Sequence, residues 1–375
     1  MMSSLLKLIE CGQSFWLDNL TRGKIKSGEL KDRIEKHGLR GVTSNPAIFN
    51  KAISKSNDYD AQIESLAREG KTVEQIYEAL VVKDIQDACD LLMPVYSETK
   101  MLDGYVSLEV SPYLAHDTDG TAREARRLFK EVNRPNCLIK IPGTSAGIGA
   151  IEQMLYEGIN INITLLFSVK MYERVANAYL IALERRVKEK QPVDRIASVA
   201  SFFLSRIDVL VDQLLSHRFI SDQSVKKQAQ SLLGKIAIAN AKMAYQSFKK
   251  IFQGSRWKAL QEKGAMFQRP LWASTSTKNP DYSDVMYVEP LIGQHTVNTM
   301  PDETIKSFGD HGKVVADTIE KDLEKARSEL ENLQKLEIDL DFVTSQLVNE
   351  GIQKFIDPYD ALLKSIEEKA HAVKA

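Results

Sequence analysis

Cysteine is scarce in this chain of 375 residues: Cys11, Cys89 and Cys137 are odd in number and far apart. That usage excludes a disulfide framework and fits a reduced compartment. The six histidines stand at no zinc-type spacing with one another or with the cysteines, so no metal centre is expected. Lys and Arg (50) nearly balance Asp and Glu (51), which removes the one-sign charge field that nucleic acid or an anionic membrane surface would require. No apolar run approaches the roughly 18 residues of a membrane-spanning helix. The opening MMSSLLKLIECG has an apolar stretch, but Lys7 and Glu10 interrupt it and no signal-peptide core follows, so an amphipathic helix is expected. Gly/Ser/Pro-rich linkers, internal repeats and low-complexity segments are absent as well. These absences leave a cytoplasmic protein, 43% hydrophobic and able to bury a large core, whose partner is a small molecule. Nothing in them specifies oligomeric state, and a monomer or a homodimer is expected.

What is present is an alternation. Short β-rich runs recur at 14–20 (SFWLDNL), 39–45 (LRGVTSN), 105–111 (YVSLEVS), 137–143 (CLIKIPG), 161–168 (INITLLFS), 196–204 (IASVASFFL) and 269–277 (RPLWASTST). An eighth, HTVNTM, ends just before Pro301. Between them lie helical periods at 27–38, 72–96, 118–132, 168–187 and 224–252. Strand then helix, repeated, implies parallel strands with crossover helices, and about eight units favour a closed (β/α)8 (TIM) barrel over an open doubly wound sheet. The barrel is expected over about 14–310, followed by a helical C-terminal extension over about 311–375, the whole forming a single domain 1–375. Charges in the extension sit at i,i+3 and i,i+4 spacing, as on a solvated helix face; a lid or a subunit contact is the sharper reading.

Within Cys137-Leu138-Ile139-Lys140-Ile141-Pro142-Gly143 a single amine interrupts an apolar run short enough to be one buried strand. A desolvated ammonium costs several kcal/mol unless it is paired or loses its proton. A lysine in the neutral form is also a nucleophile that condenses with a carbonyl to a Schiff base. In a barrel the reacting groups stand at the C-terminal ends of strands. Those positions carry Asp18, Asn45, Glu109, Lys140, Asn162 with Thr164, Ser201 with Arg206, and Ser274 with Lys278. An amine nucleophile, carboxylates for proton transfer, amides and hydroxyls for a polyhydroxylated substrate, and two cations for a phosphate make a coherent set. It needs neither histidine nor cofactor.

The motifs GVTSNPAIF (41–49), VSLEVSP (106–112), LIKIPGT (138–144), NINITLLFS (160–168) and VNTMP (297–301), in this order and spacing, resemble those of the transaldolases of the longer bacterial type. The resemblance runs from about Ser14 to Phe308, and the helical tail also fits it. It implies a class I, Schiff-base enzyme of the non-oxidative pentose phosphate pathway, which moves a dihydroxyacetone unit between sugar phosphates. By that resemblance Lys140 is the Schiff-base lysine, Asp18 the acid/base at the C4 hydroxyl, and Glu109 the carboxylate acting through a water beside Thr164. Asn45, Asn162 and Ser201 resemble the groups that hold the dihydroxyacetone hydroxyls; Arg206 and Ser274 resemble phosphate ligands. Phe203 stands where the related fructose 6-phosphate aldolases carry a tyrosine, so it leans towards transferase rather than lyase.

Two departures bear on the carry-over. Shorter transaldolases have an arginine soon after the seventh-strand serine, whereas here the run Trp272 to Thr277 ends in Lys278, which becomes the expected second cation. Some long members are fused to a glucose 6-phosphate isomerase domain, for which a chain ending at Ala375 leaves no room. Plainer readings exist for single residues. Asp18 could cap a helix, Asn45-Pro46 could start a turn, Asn162 and Thr164 could line a solvated face, Arg206 could pair with Asp208 or Asp212, and Lys278 could be a surface loop lysine. A phosphate-binding barrel without activity is the remaining alternative.

Overall fold

The computed structural model describes residues 3–372. Eight strands, β1 (Gln13–Leu17), β2 (Gly41–Val42), β3 (Tyr105–Glu109), β4 (Cys137–Pro142), β5 (Ile161–Leu166), β6 (Ser198–Phe203), β7 (Gln268–Ala273) and β8 (Thr296–Met300), close in sequence order into a barrel. Every pairing is parallel, and β8 returns to β1 through Gln13↔Thr296 to Leu17↔Met300. Parallel strands with helices on the outside are buried on both faces, and six of the eight are buried at every position over five or six residues, β2 over its two, and β3 all but its last.

The helices begin where side chains can cap them. Asp117 accepts from the Gly120 amide ahead of Thr118–Val132, Ser168 from Met171 ahead of Val169–Lys188, and Thr72 forms a reciprocal box with Gln75 ahead of Val73–Glu98. Two expected helical stretches are corrected. The period over 224–252 is broken into Lys226–Leu232 and Ile236–Phe252, because Gly234 takes φ +67° and its amide turns to Asp212. The C-terminal extension is helical as expected but not throughout: after Asp302–His311 the chain is irregular to Asp322 apart from one turn at Thr318–Glu320, with Asp317 and Asp322 at positive φ. Helix then resumes at Leu323–Lys335 and runs unbroken over Leu340–Ala372 through Pro358. The amphipathic N-terminal helix is present as Ser4–Glu10; Met1, Met2 and residues 373–375 of the expected domain lie outside the described residues. No helix among the described residues is long and apolar enough to cross a membrane.

The last helix is more than a solvated extension. It lies over the C-terminal mouth of the barrel, where Tyr359 meets Tyr77 edge to face at 5.3 Å and Lys369 holds Asp60 at 2.6 Å and the Ser56 carbonyl at 2.9 Å. It packs closely at Gly351: a Cβ there would stand 2.8 Å from a Leu165 methyl, which would have to shift, and 3.4 Å from Arg206 Nη1. Leu165 itself has φ +59° at a register shift in β5.

The opposite end of the barrel is sealed by a buried polar plug. Arg269 at the start of β7 donates to Asp103 at 3.0 Å, to Ser14 at 2.7 Å and to the Thr296 carbonyl at 2.7 Å, while Ser14 and Trp16 both donate to Asp103. Both ions are almost fully buried, so removing one strands the other. Asp103→Ala is expected to cost about 3–5 kcal/mol of stability, measured by urea unfolding. A loss below about 1 kcal/mol would show that the plug is not what closes this end.

Candidate active site

β4 places Lys140 between Glu109 on β3 and Asn162 on β5, its direct partners in the parallel register. Only 4% of Lys140 is exposed. Its Nζ lies 2.8 Å from Glu109 Oε1, donates to the Ser44 carbonyl at 3.1 Å and stands 5.7 Å from the centre of the Phe355 ring. A buried ammonium is tolerable only with such partners, so the strand lysine is kept by a carboxylate rather than by solvent at a strand end.

Burial pushes the Glu109 carboxyl up from its ordinary value, against the opposing pull of Lys140 and with a further push from Asp18. Beyond the ion pair, neither Glu109 oxygen has a hydrogen-bond partner among the described residues, and the same holds for the buried Thr164 Oγ1. Asp18 follows β1 directly. Its amide donates to the Met300 carbonyl at 2.8 Å, and its Oδ1 accepts from Thr43, whose hydroxyl also lies 2.7 Å from that of Thr299. Burial raises Asp18 too, opposed by Lys140 and by the Thr43 hydrogen bond. A carboxyl lifted in this way holds a proton more readily than a solvated one, as an acid/base group requires.

Asp18, Asn45, Lys140, Ser201, Phe203, Arg206, Ser274 and Lys278 all line one cavity of about 240 Å³ at the barrel mouth. Asn45 does cap a helix, accepting from the Ile48 amide at the start of Pro46–Ser54, and still reaches the cavity wall. Phe203 packs against Phe167 at 5.3 Å and lies beneath the Arg206 guanidinium, also at 5.3 Å. Arg206 sits in the first turn of Ser205–Ser221 with Nη1 buried and unpartnered. Asp208 and Asp212 are occupied elsewhere, so the helical pairing read as an alternative is not formed. Ser274 takes φ +56°, a strained conformation for serine, with its hydroxyl 2.8 Å from that of Ser205. Lys278 bonds Ser276, and both face the cavity.

Glu109, Thr164 and Asn162 are not on that wall. Asn162 is fully buried, donating to Ser107 at 2.9 Å and accepting from the Ser201 hydroxyl at 2.6 Å, so it is no solvated face. Its contact with the cavity is made through Ser201. Thr43, Thr299, Ser276, Glu303 and Phe355 also line the cavity and were not singled out in the sequence. Thr43 and Thr299 lay inside quoted motifs; Phe355, some 150 residues from Arg206, carried no signal of its own. Among the described residues no group of three or more His, Cys, Asp or Glu side chains is placed to hold a metal.

A buried lysine paired to one carboxylate, a second carboxyl on the same cavity and two cations at its rim are the equipment of a barrel enzyme that works on phosphorylated carbonyl compounds through an imine. The protein-family profile described as Transaldolase/Fructose-6-phosphate aldolase matches residues 15–366, and the chain belongs to this family. It is 53% identical to a transaldolase of Trichodesmium erythraeum and 52% identical to transaldolase 2 of Nostoc punctiforme, in each case over 97% of both chains. Identity to the transaldolase of Thiobacillus denitrificans is 46% over 95% of this chain and 97% of that one.

The loop that carries Ser276 and Lys278 is tied to the Arg206 helix by two tyrosine–aspartate bonds, Tyr287 to Asp208 at 2.8 Å and Tyr282 to Asp212 at 2.7 Å. Asp208 also accepts from the Ala237 amide. Burial pushes its carboxyl up from 3.8 to about 7, in spite of these hydrogen bonds. The native state therefore keeps a proton that the unfolded chain releases, and the stability it contributes is full below about pH 4 and lost as the pH rises through about 7. Asp208→Asn is expected to remove this part of the slope. Urea unfolding at pH 5 and pH 8 checks it: wild type should lose more stability than the variant over that interval, and parallel losses would contradict the assignment.

Proposed function

We propose that this chain runs the transaldolase reaction on Lys140, with Asp18 and Glu109 as its proton-transfer groups. The enzyme is a transferase of the non-oxidative pentose phosphate pathway and its substrates are sugar phosphates. It moves a dihydroxyacetone unit from sedoheptulose 7-phosphate or fructose 6-phosphate to glyceraldehyde 3-phosphate or erythrose 4-phosphate. The observation that carries the residue roles is the Lys140–Glu109 pair, 2.8 Å apart, with Lys140 opening on a cavity that also holds Asp18, Arg206 and Lys278.

The ketose enters with its phosphate on Arg206, Lys278, Ser274 and Ser276, where two cations and hydroxyl donors meet. Glu109 takes the Lys140 proton across the ion pair, and the amine bonds to C2. Loss of the C2 oxygen as water leaves a protonated imine, with Glu109 and Thr164 handling the protons. Asp18 then removes the C4 hydroxyl proton, the C3–C4 bond breaks, and the electron pair moves into the imine to give a neutral enamine in place of a carbanion. Asn45 and Ser201 hold the remaining hydroxyls. Because Ser201 gives its proton to Asn162, its oxygen faces the substrate as an acceptor. Phe203 and Phe355 keep this region dry, and the aldehyde acceptor reverses the sequence. We also take the chain to act as one cytoplasmic domain, a monomer or a homodimer, with neither nucleic acid nor membrane as partner.

The transfer reading and the lyase reading separate on the acceptor. With fructose 6-phosphate alone the enzyme should stall after one equivalent of glyceraldehyde 3-phosphate, and erythrose 4-phosphate should restore turnover. Steady release of free dihydroxyacetone would favour the lyase. Asp18→Asn should lower kcat by about 10²–10⁴ while the donor still binds; near-normal turnover would remove Asp18 from the mechanism.

A further inference from the structure

The ion pair at the centre of the site divides two cavities. Lys140 lines the substrate cavity, and Glu109, 2.8 Å away, lines a different one of about 160 Å³. This second cavity lies among Val73–Glu98, Thr118–Val132 and the last helix. Its inner end is formed by Leu108 and Glu109, both held on β3; its outer end reaches Glu74 and Arg127, which are exposed. Val82 forms part of the apolar wall, and Tyr77 and Tyr359 close over the cavity from two helices. The volume holds a few waters, whose share of the liquid is about 30 Å³ each, and is smaller than the substrate cavity.

We propose that this side cavity is a water channel, through which the water of the Schiff-base cycle leaves and returns behind the sugar. The inference rests on the imine chemistry assigned to Lys140. When the amine adds to the ketone, a C–N bond forms and the carbonyl oxygen takes a proton. The C–O bond then breaks, the oxygen departs as one water after a second proton, and the C=N bond forms; release of the product consumes one water in reverse. In front of Lys140 a bound sugar would fill the cavity that Phe355 also lines. Behind it stands Glu109, whose carboxylate pairs with the amine, both oxygens buried, and whose side chain walls off the inner end of the channel. It can protonate the departing oxygen and pass the water outward in one place.

Fructose 6-phosphate labelled with oxygen-18 at C2 reads this directly, because each round of imine formation and reversal exchanges the label with solvent. Val82, which lines the channel and not the substrate cavity, is the residue to vary. Val82→Phe fills the channel and is expected to lower enzyme-dependent washout of label at least tenfold, with the donor KM within twofold of wild type. Val82→Ala is expected to keep or raise washout. Equal washout in wild type and both variants would overturn the channel, as would a fall in Val82→Phe matched by an equal rise in KM. Should Val82→Phe not fold, Val82→Leu takes its place, and washout equal to that of wild type and Val82→Ala again overturns the proposal. An absence of washout in wild type would instead overturn the Schiff-base reading on which the channel rests.

Discussion

The contact between the Lys140 ammonium and the Glu109 carboxylate organises the rest of this structure. An amine placed in the middle of a fully buried strand is sustainable only where a neighbouring strand offers a counter-charge. The parallel register supplies it, because Glu109 and Lys140 are direct partners on β3 and β4. A shift of one residue would turn either side chain out of the barrel and leave the other unpaired. The closed eight-stranded barrel, with its polar plug at one end, fixes that register and leaves the other end for chemistry.

Around the pair the site is graded from dry to charged. Asp18 and Glu109 are both raised by burial, and both are restrained by Lys140, so their proton affinities depend on the charge that the amine carries. Formation of an imine keeps or removes that charge step by step, which couples the two carboxyls to the state of the lysine. Arg206, desolvated between Phe203 and Phe355, has an Nη1 with no hydrogen-bond partner among the described residues. A guanidinium in that setting offers a phosphate strong hydrogen bonds in a poorly hydrated place. The last helix completes this gradient by bringing Phe355 to the cavity, with Gly351 leaving room for the Leu165 side chain.

The barrel and most of the cavity wall were legible in the sequence because each depends on local pattern. Buried parallel strands read as short apolar runs, and polar residues that interrupt those runs at strand ends, such as Asp18 and Lys140, are conspicuous. What sequence did not reveal depends on long-range placement. Ser44 contributes through a backbone carbonyl, Thr43 and Thr299 meet each other across 256 residues, and Phe355 reaches the site from a helix whose charged surface reads as solvated. Asn162 interrupts its run conspicuously, but the hydrogen bonds that hold it, to Ser107 and Ser201, were not legible. Gly312 marks the end of Asp302–His311, but the irregular stretch that follows was hidden: Asp317 and Asp322 at positive φ keep the chain out of a helix with no further glycine or proline to announce it.

Borohydride reduction in the presence of fructose 6-phosphate, followed by peptide mapping by mass spectrometry, tests the central claim most directly. Reduction freezes the imine as a stable secondary amine on whichever lysine forms it. The account predicts a three-carbon or six-carbon adduct on Lys140 and on no other lysine. An unmodified Lys140 under turnover conditions, or an adduct on a different lysine, would contradict it.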